Sequence, residues 1–231
     1  MTDPSRTPLI VAQGLTRIYP LGSTEVIGVE NIDLRIAPGE MVVLKGNSGS
    51  GKSTLLALLG GLDQPTSGTL RVANQDLQKA SPHELNEYRR KVVGMIFQTF
   101  NLLPTLTVME NVCLPAFLAG RPYEEFKKQA LEWLEWLNLS SRLSHYPGQL
   151  SGGEMQRTAI VRALINQPAI ILADEPTGNL DSRNGQVVIE LLAELNRRFG
   201  RTIILATHST LADHCATLRL CLRDGRITEA P

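Results

Sequence analysis

The chain has 231 residues, 42% hydrophobic and 20% charged, which supports one compact domain with a buried core. Its 23 basic and 23 acidic residues cancel, so no basic excess points to nucleic acid, and no polybasic run points to anionic lipid. Aromatic residues make up 5%, too few for a surface that stacks single-stranded bases.

The sequence shows no evident targeting signal, and we expect a cytoplasmic protein. No apolar run approaches the roughly 20 residues that span a bilayer. Residues 1–8 (MTDPSRTP) lack the basic start and apolar core of a signal peptide, and we expect them to form a flexible tail. The three cysteines are odd in number and form no C-x-x-C pair, so neither a disulfide framework nor a zinc site is indicated. Work at a membrane would therefore require another chain to provide the membrane part.

Strands and helices are predicted to alternate in the first part of the chain. Apolar runs and apolar–polar alternation predict the strands, and a serine cap followed by proline predicts the start of the second helix. The strands are predicted at residues 9–12 (as an edge strand), 32–36, 41–44 and 92–97, and the helices over 53–62 and 82–90.

The middle of the chain is predicted to be helical and the end to return to alternation. From 98 to 166 the pattern is mostly helical, with a cap at Thr107 and a longer helix from Pro122 through Leu137. The remaining elements are buried strands at 169–173 and 202–206, a helix over 184–199, and a hairpin of 218–222 with 226–228. Strands alternating with helices at both ends imply an α/β layered core, into which the helical middle is inserted as a lobe.

Residues 46–53 (GNSGSGKS) match the phosphate-binding pattern G-x-x-x-x-G-K-S between a predicted strand and a predicted helix. Its glycines let successive N–H groups turn inward and cradle phosphates. Lys52 is expected to reach the β- and γ-phosphates, and the Ser53 hydroxyl to bind Mg²⁺. The predicted phosphate-binding residues are Asn47, Ser48, Gly49, Ser50, Gly51, Lys52, Ser53 and Thr54.

Polar side chains follow three predicted strands, where α/β sheets place ligands. Asp174 and Glu175 follow 169–173; Asp174 is expected to hold Mg²⁺, and Glu175 to orient or deprotonate an attacking water. His208 follows 202–206 in the same way. Gln98, at the exit of 92–97, could contact Mg²⁺ or water.

The stretch LSGGE (150–154) predicts a helix start in which Ser151 and Glu154 form a capping box. The box does not account for Gly152 and Gly153, each of which disfavours a helix by roughly 1 kcal/mol relative to alanine. Bare backbone at a helix N-terminus suits close approach of an anion. A two-copy assembly could place these glycines against ATP held by the other copy.

Together, GNSGSGKS, Gln98, LSGGE, ILADEP, Asp181 and His208 resemble the nucleotide-binding subunit of an ABC transporter, over about residues 9–228. The resemblance implies an α/β fold: a P-loop NTPase core (ABC ATPase) with an N-terminal antiparallel β subdomain and an inserted α-helical subdomain. It implies a single domain over 9–231, with a catalytic core at about 9–97 and 160–231 and the helical subdomain at about 98–159.

The resemblance also implies roles for individual residues in a head-to-tail dimer that encloses ATP. Ser151, Gly152 and Gly153 close on the γ-phosphate bound by the partner copy, and Asp181 lies at the seam. The implied catalytic residues are Glu175 as general base, His208, Lys52 and Gln98, and the implied Mg²⁺ ligands are Ser53, Gln98 and Asp174. Tyr19 resembles the aromatic residue that stacks on adenine, although an ordinary strand-end tyrosine has the same sequence signature.

Three longer stretches narrow the resemblance to the lipoprotein-releasing and macrolide-export ATPases: 58–68 (LLGGLDQPTSG), 100–112 (FNLLPTLTVMENV) and 174–185 (DEPTGNLDSRNG). This group implies an ATPase that powers a membrane complex for export or for lipoprotein or lipid release. The permease subunit is expected to dock on the helical lobe near residues 98–118, which holds the protein at the inner face of the membrane.

Other function classes fit the sequence less well. An ABC-type ATPase acting on DNA or ribosomes usually carries a coiled-coil insertion, a second cassette or basic surfaces, and none is evident, so no nucleic acid partner is expected. A regulatory module that binds ATP but hydrolyses little would not need Glu175 and His208. A P-loop kinase leaves LSGGE unexplained.

Overall fold

The structure, a computed structural model, describes residues 7–228, so most of the predicted tail at 1–8 lies outside the described residues. The strands are β1 (Ile10–Leu21), β2 (Thr24–Ile36), β3 (Met41–Lys45), β4 (Ser67–Val72), β5 (Gln75–Asp76), β6 (Val93–Ile96), β7 (Ile170–Asp174), β8 (Thr202–Thr207), β9 (Leu218–Arg223) and β10 (Arg226–Thr228). The α-helices are α1 (Lys52–Leu59), α2 (Pro82–Lys91), α3 (Val108–Leu118), α4 (Tyr123–Trp136), α5 (Gly152–Leu164) and α6 (Ser182–Phe199). Among these residues, no helix combines the length and the apolar character that crossing a bilayer requires.

The first sheet is antiparallel, with strand order β2-β1-β4-β5, as the N-terminal β subdomain was expected to be. The prediction that residues 9–12 open an edge strand is wrong, because β1 pairs with β2 on one side and with β4 on the other. Strands β4 and β5 were not predicted. Gly68 explains part of this omission: it takes φ +83°, and a Cβ there would lie 2.2 Å from the Gly14 carbonyl oxygen. Glycine allows the two strands to approach closely here, but in the sequence alone a glycine in this context indicates a turn rather than a strand.

The second sheet has the order β10-β9-β3-β8-β7-β6, and its neighbours run parallel except for the terminal hairpin of β9 and β10. Lys45 at the end of β3 pairs with Thr207 of β8, and Asp174 at the end of β7 pairs with Ala206. The carboxyl ends of these three central strands therefore lie side by side at one edge, which is where parallel sheets bind ligands.

Two hydrophobic cores cover the two faces of this parallel sheet. Along β3, Met41 and Val43 pack into one core, while Val42 and Leu44 pack into the other. Helices α3 to α6 complete the first core, and the antiparallel sheet with α1 and α2 completes the second. Burial on both faces is why this strand and its neighbours read as continuous apolar runs.

Helix ends follow local capping chemistry. Ser81, Thr107 and Ser151 are N-caps with reciprocal bonds from a glutamate three residues later, as predicted. Helix α1 ends at Leu59, before the predicted residue 62, because Gly60 and Gly61 (φ +62°) terminate it. Helix α6 begins earlier than predicted because the Asp181 carboxylate accepts the Asn184 N–H at 2.9 Å.

The helical region between β6 and β7 consists of α3, α4, two 3-10 turns at Ser140–Arg142 and Pro147–Gln149, and α5. Helix α5 runs without interruption across positions 159 and 160, where the sequence predicts the boundary of the helical subdomain. Its residues Ile160, Val161 and Leu164 pack into the same core as β7 and β8. The helix therefore joins the lobe to the sheet.

Candidate active site

A cavity of about 680 Å³ lies at the edge where β3, β7 and β8 end. It brings together most of the residues predicted from the motifs. They are Tyr19, Asn47, Ser48, Gly49, Gly51, Lys52, Ser53, Thr54, Gln98, Asp174, Glu175 and His208. Ser50 lies beneath the loop at 6% exposure. Four further residues predicted to bind the nucleotide do not line this cavity: Ser151, Gly152, Gly153 and Asp181.

The phosphate-loop backbone depends on glycine at positions that admit no side chain. Gly51 takes φ +102°, and a Cβ there would lie 2.2 Å from the Gly28 carbonyl oxygen. Gly49 takes φ +77°. In this structure no side chain caps the start of α1, so its first N–H groups remain available at the cavity. A helix N-terminus of this kind attracts anionic ligands.

Lys52 is the first residue of α1 and is only 7% exposed. Its ammonium donates hydrogen bonds to the carbonyl oxygens of Gly46 and Asn47 at 2.7 and 3.0 Å. It also lies 3.6 Å from Glu175 Oε1. The positive charge is therefore held over the phosphate loop by the loop itself and by a carboxylate across the cavity.

Glu175 has a backbone φ of +45°, a region that residues with a Cβ rarely adopt. Its N–H donates to the Ala206 carbonyl at 2.9 Å, which ties the residue to the end of β8. His208 Nδ1 lies 3.0 Å from Glu175 Oε2, and the His208 backbone N–H donates to the same oxygen at 3.4 Å. The carboxylate is 15% exposed and the imidazole 72% exposed, so the histidine shields one side of the glutamate.

Asp174 lies at the end of β7, and its Oδ1 is buried without a hydrogen-bond partner among residues 7–228. Burial raises the pKa of this carboxyl, and a hydrogen bond with the Ser53 side chain acts against that rise. An unpaired buried carboxylate oxygen beside a hydroxyl is an arrangement that a hard cation satisfies. Gln98 lines the same cavity, and its amide lies against Gly178, where a Cβ would come within 2.7 Å of Gln98 Nε2.

The Tyr19 end of the cavity contains three residues that sequence reasoning missed: Val26, Ile27 and Gly28. Val26 pairs with Tyr19 across β1 and β2, and both Val26 and Ile27 are exposed despite being apolar. A Cβ on Gly28 would lie 2.7 Å from Tyr19 Cε2, so this glycine leaves space for the ring. Val26 lies opposite the tyrosine on the paired strand and Ile27 opposite Ile18, and this apolar pair next to Gly28 is the signal that could have identified them.

The start of α5 is held by ionic and capping contacts. The Ser151 N–H and hydroxyl both donate to Glu154 Oε2 at 2.8 Å, and Arg142 Nε donates to Glu154 Oε1 at 2.7 Å. These bonds, the one from Arg142 first, lower the pKa of the Glu154 carboxyl to about 2. The helix start is therefore stabilised by contacts within the chain itself.

The two glycines of this helix start have different surroundings. A Cβ on Gly153 would lie 2.8 Å from Asn184 Oδ1, and Asn184 Nδ2 donates to Asp181 Oδ2 at 2.7 Å. A Cβ on Gly152 would meet its nearest atom, Leu180 Cδ2, at 3.3 Å. Packing against Asn184 within the same chain therefore requires glycine at position 153, which the sequence alone did not reveal. The surroundings of Gly152 are less crowded.

Comparisons with known proteins agree with this geometry. A family model described as ABC transporter matches residues 29–178. The macrolide export ATP-binding/permease protein MacB of Sodalis glossinidius is 47% identical over 221 residues, 96% of this chain and 34% of MacB, so the chain spans about one third of that relative. The lipoprotein-releasing system ATP-binding protein LolD of Bacteroides fragilis is 42% identical over 219 residues, 95% of this chain and all of LolD.

A solved structure of the ATP-binding cassette MJ0796, a dimer in a post-hydrolysis state bound to ADP and Pi, matches with a TM-score of 0.89 and 40% identity. The match covers 95% of this chain and 97% of that one. The predicted α/β P-loop fold and the predicted resemblance are confirmed. The chain therefore belongs to the ABC transporter family.

Proposed function

We propose that this chain binds Mg²⁺-ATP in the cavity at the ends of β3, β7 and β8, and hydrolyses it as one half of a head-to-tail dimer that drives a membrane permease. One observation carries the proposal. The P-loop, Lys52 and Glu175 share one cavity, while the glycines that begin α5 lie outside it. A single chain therefore does not bring the glycines of α5 to its own nucleotide cavity, which leaves that role to a second copy.

Binding of ATP uses two ends of the cavity. The N–H groups of residues 47–53 and the Lys52 ammonium bind the phosphates, and Lys52 exchanges its two carbonyl partners for phosphate oxygens. Tyr19 stacks on the adenine, with Val26 and Ile27 supplying apolar contact beside it. The cavity's polar and apolar ends thus match the two ends of the nucleotide.

Ser53, Asp174 and Gln98 are the residues that would hold Mg²⁺. The buried unpaired Oδ1 of Asp174, its contact with Ser53 and the position of Gln98 in the same cavity support this donor set. When bound, Mg²⁺ neutralises phosphate charge.

Hydrolysis relies on Glu175 as the general base. A water oxygen attacks the γ-phosphorus, the bond to the β–γ bridging oxygen breaks with its electron pair leaving on ADP, and Glu175 takes the proton of the water. His208 orients the carboxylate through the 3.0 Å contact and reaches the γ-phosphate from its exposed position. Lys52 stabilises the charge on the transferring group.

The second copy contributes Ser151, Gly152 and Gly153 to the γ-phosphate, and Asp181 to the seam. The capped N-terminus of α5 presents backbone N–H groups to an anion, and the dimeric structures of MJ0796 support the assembly. ATP closes the dimer because each nucleotide then contacts two protein surfaces, and loss of the γ-phosphate reopens it.

The permease docks on the helical lobe, at residues 98–118, and holds the protein at the inner face of the membrane. A cleft of about 430 Å³ lies between α2 and β6 on one side and α3 and α5 on the other. Phe117 and Leu118 at the end of α3 are 69% and 59% exposed, which is unusual for apolar side chains on a helix of the core. The names of MacB and LolD support export or lipoprotein release as the process driven.

Substitution of Glu175 by Gln tests the proposed function. The variant removes the base but keeps the shape of the side chain, so it should retain ATP and accumulate as a dimer, with hydrolysis lowered by roughly 10²–10⁴-fold. ATP binding by calorimetry, phosphate release and the size of the ATP-bound species are measured. Lys52→Ala, which should lose nucleotide affinity, is the control. Near-normal turnover of the Glu175→Gln variant would contradict the proposal.

A further inference from the structure

The Tyr19 ring is held from two sides by side chains outside the cavity. Its hydroxyl donates to Asp63 Oδ2 at 2.7 Å. The Arg17 guanidinium lies over one face of the ring, 4.6 Å from its centroid. Arg17 in turn donates to both oxygens of Asp63, through Nε to Oδ2 at 2.9 Å and through Nη2 to Oδ1 at 2.8 Å. One face of the ring is therefore covered by a fixed cation.

Asp63 is saturated with donors. Besides Tyr19 and Arg17, the Gln64 N–H donates to Oδ1 at 2.7 Å. Although burial acts in the opposite direction, the bonds from Tyr19, Gln64 and Arg17 lower the pKa of the Asp63 carboxyl. Asp63 and Arg17 are both less than a third exposed, so the pair is more than a solvated surface contact.

The segment that contains Asp63 is joined to β1 immediately before Tyr19. The Thr66 N–H donates to the Thr16 carbonyl at 2.8 Å, and the Ile18 N–H donates to the Thr66 hydroxyl at 3.0 Å. Asp63 and Thr66 belong to LLGGLDQPTSG (58–68), a stretch to which none of the proposed catalytic or binding roles applies. The backbone of β1 and the ring of Tyr19 thus share one anchor.

The same segment is continuous with the helix that begins at the phosphates. Asp63 follows the last residue of α1, Leu59, by four positions, and its N–H donates to the Ala57 carbonyl at 3.3 Å. The first residue of α1 is Lys52. Helix α1 therefore fixes the distance between the phosphate end of the cavity and the residue that holds the Tyr19 ring.

We propose that Asp63 and Arg17 are positioning residues for the nucleobase: they hold the Tyr19 ring with one face covered and the other presented to adenine, at a distance from the P-loop set by α1. The inference rests on the proposed stacking of Tyr19 on the base. It concerns affinity for the base only, because neither side chain lines the cavity that receives the nucleotide. Phosphate binding by Lys52 is left unchanged.

The test compares two probes, Mg²⁺-ATP and Mg²⁺-tripolyphosphate, because the second has phosphates but no base. Asp63→Ala should weaken ATP binding by about three- to tenfold, a part of the full value of an aromatic–base stack, and leave tripolyphosphate binding unchanged. Tyr19→Phe keeps the ring but removes the bond to Asp63, so it should act in the same direction and carries the test if Asp63→Ala fails to fold. The KM for ATP should rise with kcat unchanged.

Two further variants show whether Asp63 acts through Tyr19. Adding Asp63→Ala to Tyr19→Ala should weaken ATP binding no further than Tyr19→Ala alone. Glu194→Ala, which breaks the pair with Arg198 on the remote helix α6, is a matched control for loss of an ion pair and should leave both probes unaffected. Equal weakening of ATP and tripolyphosphate by Asp63→Ala would assign the pair a purely structural role and overturn the inference.

The outcomes also separate this inference from the proposed function. If Lys52→Ala leaves both probes bound as before, the nucleotide site itself is misassigned. If Tyr19→Ala leaves ATP binding unchanged, the base does not stack there and the inference falls with that role. If Tyr19→Ala weakens ATP binding while Asp63→Ala and Tyr19→Phe do not, only the positioning by Asp63 and Arg17 is refuted.

Discussion

Gly152 and Gly153 are adjacent, but different structural constraints act on them. Gly153 is buried, and Asn184 occupies the space that a side chain would need. Gly152 is half-buried, and a Cβ there would meet only the flexible end of the Leu180 side chain at 3.3 Å, so its own chain demands glycine less strictly at this position. A reason outside the single chain, such as the phosphate of a nucleotide on a second copy, remains for Gly152.

The charge rather than the size of a new side chain at Gly152 should decide its effect. Gly152→Asp places a negative charge beside the proposed phosphate, so hydrolysis should fall by about 10²-fold or more while single-chain ATP binding survives. Gly152→Asn has nearly the same shape without the charge and should lose clearly less. Phosphate release and ATP affinity of the two variants are compared. Equal rates for both would show that no anion approaches this position.

Helix α5 is held at both ends by ionic side chains. Its N-terminus has the Ser151–Glu154 box with Arg142. At its last turn Arg162 donates to the carbonyls of Phe100 and Asn101, at 2.7 Å for Phe100. Both of those residues have positive φ, +60° and +49°, a conformation that costs of order 1 kcal/mol or more each. Arg162 thus stabilises a strained turn directly after Gln98.

The Glu154 carboxyl predicts a pH-dependent contribution of the α5 cap. Its pKa is lowered from 4.5 to about 2 in the folded chain, so its stabilisation is complete above the unfolded value and is lost as the pH falls from about 4.5 toward 2. Glu154→Gln should lower the free energy of unfolding by about 1–2 kcal/mol at pH 7. The difference between variant and wild type should shrink steadily in urea titrations from pH 5 to pH 3. A difference independent of pH would contradict the role of the charge.

At the scale of the whole molecule, the two parts of the proposed catalytic apparatus are separated within one chain. The cavity contains Lys52 and Glu175, and the helix start with Gly152 lies elsewhere. In a head-to-tail dimer each site takes the P-loop from one copy and the glycines from the other. Two differently damaged chains should therefore complement each other.

Mixing Lys52→Ala with Gly152→Asp tests this arrangement. In the mixed dimer, one site pairs the intact P-loop of the Gly152→Asp chain with the intact glycines of the Lys52→Ala chain. Random mixing makes about half of the dimers mixed, each with one good site, so about a quarter of wild-type hydrolysis should return. Phosphate release is measured against each variant alone. A mixture no more active than the mean of its components would refute the shared site.

Sequence and structure agree on which residues lie together where the residues belong to short contiguous patterns. The structure brings GNSGSGKS, Asp174, Glu175 and His208 to one cavity, and the sequence predicted this grouping because each follows a strand whose apolar run is evident in the sequence. The contacts of Tyr19 were not found, because Arg17 and Asp63 are 46 positions apart and meet only through the pairing of β1 with the segment after α1. The central place of β1 was missed for the same reason: strand order is a long-range property that local periodicity does not contain.

The continuity of α5 has a consequence for how two partners could communicate. Its 13 residues form a rod of about 20 Å. Its first turn carries the proposed contact to a second copy, and Arg162 in its last turn binds the loop beside the cleft proposed for the permease. A permease that displaces this loop would tilt α5. Gly152 and Gly153 at its other end would then move toward or away from the triphosphate bound by a neighbouring copy. Stimulation of turnover by cargo would then need no rearrangement among the groups that perform the chemistry.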